Sequence, residues 1–291
     1  MSFKQRAINV TFTTAPGNPA LPSGDSQINL SGHRAEVVVD MPGVLGMESL
    51  NLRIWGMKLS DMNALSTQTH QALAIVGNTV AVSAGDVDGQ INQVFFGGIM
   101  TAFIDFSGAP DVSFNVMASP WTPGTAKPAA PIETNGQIDV AGKIGELAQQ
   151  LGFTFVNNGV TVQLSNQYLP GTAVDQIRTL VRAAGIAAGF GNNTLTIWPN
   201  GAYANDEPVM ISAATGMIGY AQFTPTGVIV KTLFNPDAQA GRKASIKSIV
   251  SMANADDWTI QGLRHELSTQ MAGGPWTTTI NVGGLRYAKY N

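Results

Sequence analysis

No cysteine occurs in the 291 residues, which excludes disulfides, thiolate metal sites and cysteine nucleophiles and leaves the redox compartment unread. Charge is scarce as well: Asp, Glu, Lys and Arg make up 12% of the chain, against about 25% in an average soluble domain. With so few charges to cover an isolated exterior, a chain this rich in Val, Ile, Thr, Asn and Gly reads as a β-rich protein that hides much of its surface in an assembly. An excess of basic residues is also missing. The formal net charge is −3, which argues against gripping nucleic-acid backbones by bulk electrostatics. No run of roughly 18 apolar residues occurs, and the opening MSFKQRAINVTF has no apolar core behind its basic residues. The expectation is a protein made in the cytosol, without an export signal and without membrane insertion.

What is present is a succession of short β segments. Ala35 to Val39 precedes the turn Met41-Pro42-Gly43, Leu50 to Trp55 alternates apolar with polar, and Thr79 to Ser83 leads into Gly85 to Gly89. Gln93 to Phe106 and Val112 to Ala118 read as a strand pair around Ser107-Gly108-Ala109-Pro110. This pattern predicts an antiparallel barrel or sandwich over residues 1–119. The stretch Lys58 to Gln71 permits a short helix or a loop. Pro120 to Gly136, rich in Pro, Ala, Thr and Gly without periodicity, reads as a linker.

Residues 137–200 differ in character. Asp139 can cap a helix whose Val140, Ile144, Leu147 and Leu151 share one face, ended by Gly152. Phe153 to Phe155 and Val160 to Val162 flank Asn157-Asn158-Gly159, a hairpin signal. A shift of 33 positions carries Asp139 to Thr172, Ile144 to Ile177, Leu147 to Leu180 and Gly152 to Gly185. A second turn at Gly191-Asn192-Asn193 then precedes Leu195 to Trp198. Two helix-hairpin units make a small α/β domain, and Thr172 with Asp175 resembles a capping box. From residue 201 to 291 the chain returns to β character, with segments at Val209 to Ile211, Gly219 to Phe223, Gly227 to Phe234, Ala244 to Met252, Asp257 to Ser268 and Trp276 to Val282.

Candidate chemistry does not survive inspection. His265-Glu266 begins like half of a zinc-hydrolase helix, but position 269, where the second His belongs, is Thr. Leu263, His265 and Leu267 alternate with Arg264, Glu266 and Ser268, which is strand periodicity. His33 and His70 have no paired ligand motif. Asp86 to Gly89 opens like a calcium loop, yet its twelfth position is Gly97 rather than Glu. Gly97-Gly98 has no phosphate-loop lysine nearby, Ser31-Gly32-His33-Arg34 has no nucleophile elbow around it, and the five Trp residues are scattered at strand or linker positions. No catalytic, cofactor-binding or metal-binding residues are assigned.

Gly216-Met217-Ile218-Gly219-Tyr220, Thr226-Gly227 before a strand, Leu233-Phe234-Asn235-Pro236, and the closing His265, Leu267 and Gly273-Gly274-Pro275-Trp276 resemble the baseplate hub proteins of contractile-tailed bacteriophages. The middle region, with helix then hairpin twice, is similar to that family too. The resemblance implies a β-rich α+β fold with two tail-tube-like antiparallel β-barrel domains flanking the small α/β domain. It implies a homotrimer whose two barrels per subunit present six similar units to the tail tube protein or a tube-initiator ring on one side, and three to a trimeric central spike protein on the other. Tape measure and baseplate wedge proteins are further implied partners, DNA would pass the lumen without specific binding, and no cofactor is implied. Such a protein would be assembled in the host cytoplasm and reside in the virion. The alternatives are the hub of a non-contractile tail or related injection machine, a cell-wall-degrading metal-dependent hydrolase built on His265 and Glu266, and a carbohydrate-binding β module.

Overall fold

The computed structural model describes residues 5–18, 21–43, 46, 48–67, 77–122, 129–191 and 193–284. The expectations that touch His70, the end of Lys58 to Gln71, residues 123–128 of the linker and the first four residues lie outside them. By their contacts the residues divide into two compact units. Unit 1 comprises Met1–Asp40, Glu48–Thr122 and His265–Trp276, and unit 2 comprises Met41–Met47, Pro123–Arg264 and Thr277–Asn291.

Unit 1 is built from β1 (Arg6–Thr13), β2 (Gln27–Ser31), β3 (Ala35–Met41), β4 (Ser49–Trp55), a short helix α1 (Leu59–Leu65), β5 (Thr79–Asp86), β6 (Ile91–Asp105) and β7 (Ser113–Ser119). The strands lie in the order β3-β4-β7-β6-β5-β1-β2. Period-two patterning drives this, because alternate side chains leave opposite faces of a strand. Val37, Val39, Leu50, Leu52, Ile54, Val80, Val82, Ile8, Val10 and Phe12 are all 3% exposed or less, and each such burial contributes about 1.5–3 kcal/mol. Phe12 meets Phe114 edge-on, with ring centroids 6.0 Å apart. At Gly97 the sheet folds back so closely that an added Cβ would lie 2.7 Å from the backbone of Ser119 and Pro120. The glycine serves this approach, not a phosphate.

Unit 2 begins with small pieces: β8 (Ile132–Glu133), β9 (Gln137–Asp139), α2 (Val140–Gln150), β10 (Thr154–Asn157), β11 (Gln163–Ser165), β12 (Tyr168–Leu169), α3 (Ala173–Ala184), β13 (Ala187–Gly191) and β14 (Thr194–Trp198). Asp139 caps α2 by accepting from the Gly142 amide at 2.9 Å. Thr172 and Asp175 form the full reciprocal box on α3, and Gly185 closes it in the left-handed conformation. The second unit of the predicted pair is a helix followed by an antiparallel hairpin, β13 with β14. The first is not. Asn157 holds Val160 with both ends of its side-chain amide, the chain turns away, and β10 instead pairs parallel with β14. Asn-Gly fixed a turn there, but the return segment finds no partner in β10.

The remaining strands are β15 (Asn205–Ser212), β16 (Met217–Thr224), β17 (Gly227–Leu233), β18 (Arg242–Lys247), β19 (Ala255–Thr269) and β20 (Trp276–Gly284). Their order is β16-β17-β20-β19-β18-β15. Position by position this repeats β3-β4-β7-β6-β5-β1, the one difference being that β15 runs parallel to β18 while β1 runs antiparallel to β5. The register repeats where these strands begin, since Ala35 faces Ile54 and Ile54 faces Phe114 as Met217 faces Thr232 and Thr232 faces Thr278, and it is interrupted in β16 by an irregularity between Ile218 and Gln222 that β3 lacks. The predicted strand Ala244 to Met252 is shorter than expected. Ser248 and Asn254 hydrogen-bond nearby backbone amides and bend the chain after Lys247, leaving Ile249 and Met252 more than 80% exposed.

Replacing Thr172 by Ala removes the side-chain half of the α3 cap, the bond from the Asp175 amide to the Thr172 hydroxyl oxygen, and leaves the Thr172 backbone amide free to donate to Asp175. The expected cost is about 1 kcal/mol, read as faster amide exchange in the first turn of α3, with Thr172→Ser retaining most of the protection.

Candidate functional site

His265 and Glu266 point to opposite faces of β19. The His265 ring is 2% exposed, and burial pulls its pKa from 6.5 down to about 4, so it is neutral at pH 7. Thr269, at the position of the missing second ligand, donates through its hydroxyl to the carbonyl of His33 at 3.0 Å. His33 in turn carries its proton on Nδ1 and donates to the Trp55 carbonyl at 2.9 Å. Both described histidines thus sit in the strand framework, and among the described residues no three His, Asp or Glu side chains converge as a metal site. At Asp86 to Gly89 the Gly89 amide closes a turn on the Asp86 carbonyl at 3.0 Å.

The tryptophans divide by environment. Trp121, Trp198 and Trp276 are buried, at 1%, 3% and 8% exposure. Trp55 is half-buried and carries two guanidinium groups on its ring, Arg34 at 4.3 Å and Arg53 at 4.9 Å. Arg53 pairs with Asp105 at 3.2 Å and Arg34 approaches Asp111 at 3.9 Å. A hydrogen bond from Ser107, with the Arg53 charge beside it, holds the Asp105 carboxyl below its ordinary pKa. This cluster pins the root of the β6–β7 hairpin, and the tip beyond it is exposed, including Phe106 at 55%.

The sequence motifs missed two features. Glu48 is 3% exposed, burial pushes its pKa from 4.5 up to about 8, and its Oε2 has no hydrogen-bond partner among the described residues. It is therefore an uncharged acid at pH 7, and its sequence neighbourhood, a turn before an alternating strand, carries no signal of burial. The second feature is apolar surface in unit 2. Ile218, Tyr220 and Phe223 on β16 are 42%, 54% and 54% exposed, a pattern of exposure on both faces that alternation cannot produce.

Two ionisable groups, His265 and Glu48, are withdrawn from solvent. The two buried groups act on stability with opposite sign. His265, depressed on folding, contributes stability above about pH 6.5 that is lost as pH falls toward about 4. Glu48, raised on folding, contributes stability below about pH 4.5 that is lost as pH rises toward about 8. Between pH 6.5 and 8 only Glu48 acts, so chemical denaturation should show stability falling there by up to about 1.4 kcal/mol per pH unit. Glu48→Gln should flatten that slope, and His265→Gln should leave it in place.

Among curated proteins no sequence matches the chain. In fold it is similar to the 43 kDa tail protein of prophage MuSo2 from Shewanella oneidensis, at 8% identity and a TM-score of 0.64 over 96% of this chain and 99% of that one. It is similar to the tail protein from Neisseria meningitidis MC58, at 12% identity and a TM-score of 0.61 over 95% and 96%. A third likeness, at 8% identity and a TM-score of 0.56 over 87% and 74%, is to an E. coli component of the type VI secretion system described as structurally similar to T4 bacteriophage tail proteins gp27 and gp5. The family model described as baseplate hub gp41 matches residues 8–279. The chain belongs to the baseplate hub gp41 family, structural proteins of the phage tail.

Proposed function

We propose that the protein is the trimeric ring that joins a sixfold tail tube to a threefold central spike and forms part of the conduit for DNA and the tape measure protein. The observation that carries this reading is the repeated strand order, β3-β4-β7-β6-β5-β1 and β16-β17-β20-β19-β18-β15. A tube of single-barrel subunits can stack on a threefold ring if each ring subunit carries two like barrels, and the opposite face is then left to a trimer. On this reading residues 1–119 and 201–291 are the tube-like domains, and residues 137–200, reached through 120–136, form the small α/β domain between them. The role is mechanical: it transmits the symmetry change, anchors the spike, and lets DNA slide past a mildly acidic wall without binding. Catalysis has no part in it, and no cofactor is required.

The likeness to a type VI secretion component favours, as a second reading, the hub of a related injection machine. A sheath gene beside this one separates contractile from non-contractile assemblies.

Mass photometry of the purified chain, alone and with the spike protein, should show a trimer. A stable monomer that ignores both spike and tube proteins would sink the reading. Zinc analysis should return substoichiometric metal, and His265→Ala should lower stability without abolishing any peptidoglycan release; zinc at one per chain would revive the hydrolase.

A further inference from the structure

The two repeats differ in what covers their first strand. In unit 1 the outer edge of β3 is paired with β19, whose residues from His265 onward belong to that unit. The β3 side chains alternate between buried and half-buried. In unit 2 the equivalent strand is β16. It pairs with β17 and, among the described residues, with no other strand, and five of its eight residues are exposed. The same place in the same strand order is covered by a strand once and, among the described residues, left without one the second time, with only the Ala221 amide held there by Ser248.

The covering element also has a counterpart. β19 and β6 are each 15 residues long. Thr269 ends eight positions before Thr277, which faces Leu233, and Asp105 ends eight positions before Ser113, which faces Trp55. The β6–β7 hairpin is therefore the equivalent of the β19–β20 hairpin, without insertion or deletion in the turn. The tip of the second is engaged within unit 1: Thr269 bonds His33, the Arg6 guanidinium lies 5.3 Å from the centroid of the Trp276 ring and bonds the Gly274 carbonyl at 3.4 Å, and Gln270 lines a cavity of about 380 Å³ with Ser31 and Gly32. The tip of the first, Phe106 to Asp111, is exposed.

We infer that the β6–β7 hairpin tip of one copy docks on the β16 edge of a second copy, in the way the β19–β20 tip docks on β3 inside each chain. This rests on the trimeric reading and names the surfaces that close the ring. Socket and plug lie on different parts of the chain, so the contact is heterologous and repeats until the ring closes. The physical drive is the pairing of an open strand edge together with burial of Phe106, Ile218 and Tyr220. Thr67 already holds Ala102 through its amide and hydroxyl, at 2.9 and 2.8 Å, so docking is confined to the hairpin beyond that residue. Arg53 and Arg34, paired with Asp105 and Asp111, hold the tip in a fixed pose before it meets its socket.

The register follows from the covered copy. Ala35 corresponds to Met217 and Thr269 to Asp105, so the neighbours Gly32 and Gln270 translate to Ala214 and Phe106. Both of these are exposed, and the absence of native cysteine makes the pair testable. Phe106→Cys mixed with Ala214→Cys should give covalent dimers under mild oxidation on a non-reducing gel. The double variant should give covalent trimers, and Phe106→Cys with Glu146→Cys, on the exposed face of α2, should give neither. Phe106→Lys should weaken self-association about tenfold with an unchanged thermal midpoint for the monomer. A trimer by mass, alone or on the spike, that fails to cross-link at Phe106 and Ala214 overturns this interface and leaves the ring standing. A chain that never associates overturns both.

Discussion

A strand edge cannot be left as it is. Its amides and carbonyls alternate outward in a row, and each must find water, a side chain, a loop or another strand. In unit 1 that requirement is met along β3 by the end of β19, and on β6 it is met at Ala102 by Thr67. At β16 the described chain meets it in part, through the Ala221 amide, which donates to the Ser248 hydroxyl oxygen, and no second strand pairs there. Burial follows from this difference: β3 has no exposed residue, while β16 has five. The low charge, 12% of the chain, fits the proposal that other chains complete this edge, since buried interfaces need no coat of charge.

The sequence RHELSTQMAGGPW shows how far reading residues reaches. Its alternation and its Gly-Gly-Pro break identify β19, the turn and β20 correctly, and Thr269, where a second ligand would stand, bonds the His33 carbonyl. The capped helices were legible because caps are local: Asp139 and Thr172 each satisfy an amide three residues on. The Asn157-Asn158-Gly159 turn was half legible. Its local chemistry was sound, but which strand pairs with which is decided by segments far along the chain, and β14 outcompetes the nearby Val160 to Val162 as partner of β10.

Two features lay beyond any local signal. Glu48 stands among residues that look like an ordinary turn, and only the assembled unit removes it from water. The duplication of strand order was legible as two β regions of like spacing, but the correspondence of β6 with β19 needed the pairing registers. Ile218 and Tyr220 belong to a family-like motif, and their exposure could not be read from that motif. An apolar residue in a strand is expected inside, and the sequence does not say when the inside is supplied by another molecule.

On the proposed reading, duplication also explains why a single chain serves economically as an adapter. Were the two repeats identical, each hairpin tip would have the same choice of socket, and a chain could close on itself or grow in several arrangements. Here β19 already pairs with β3, and the parallel run of β15 against β18, where β1 and β5 are antiparallel, makes the two repeats inequivalent at that end; on the proposed interface this fills one socket in every folded chain. One plug and one socket per chain then remain. With a single heterologous contact to make, the number of subunits is set by the angle between plug and socket, and a ring that closes at three leaves no edge bare.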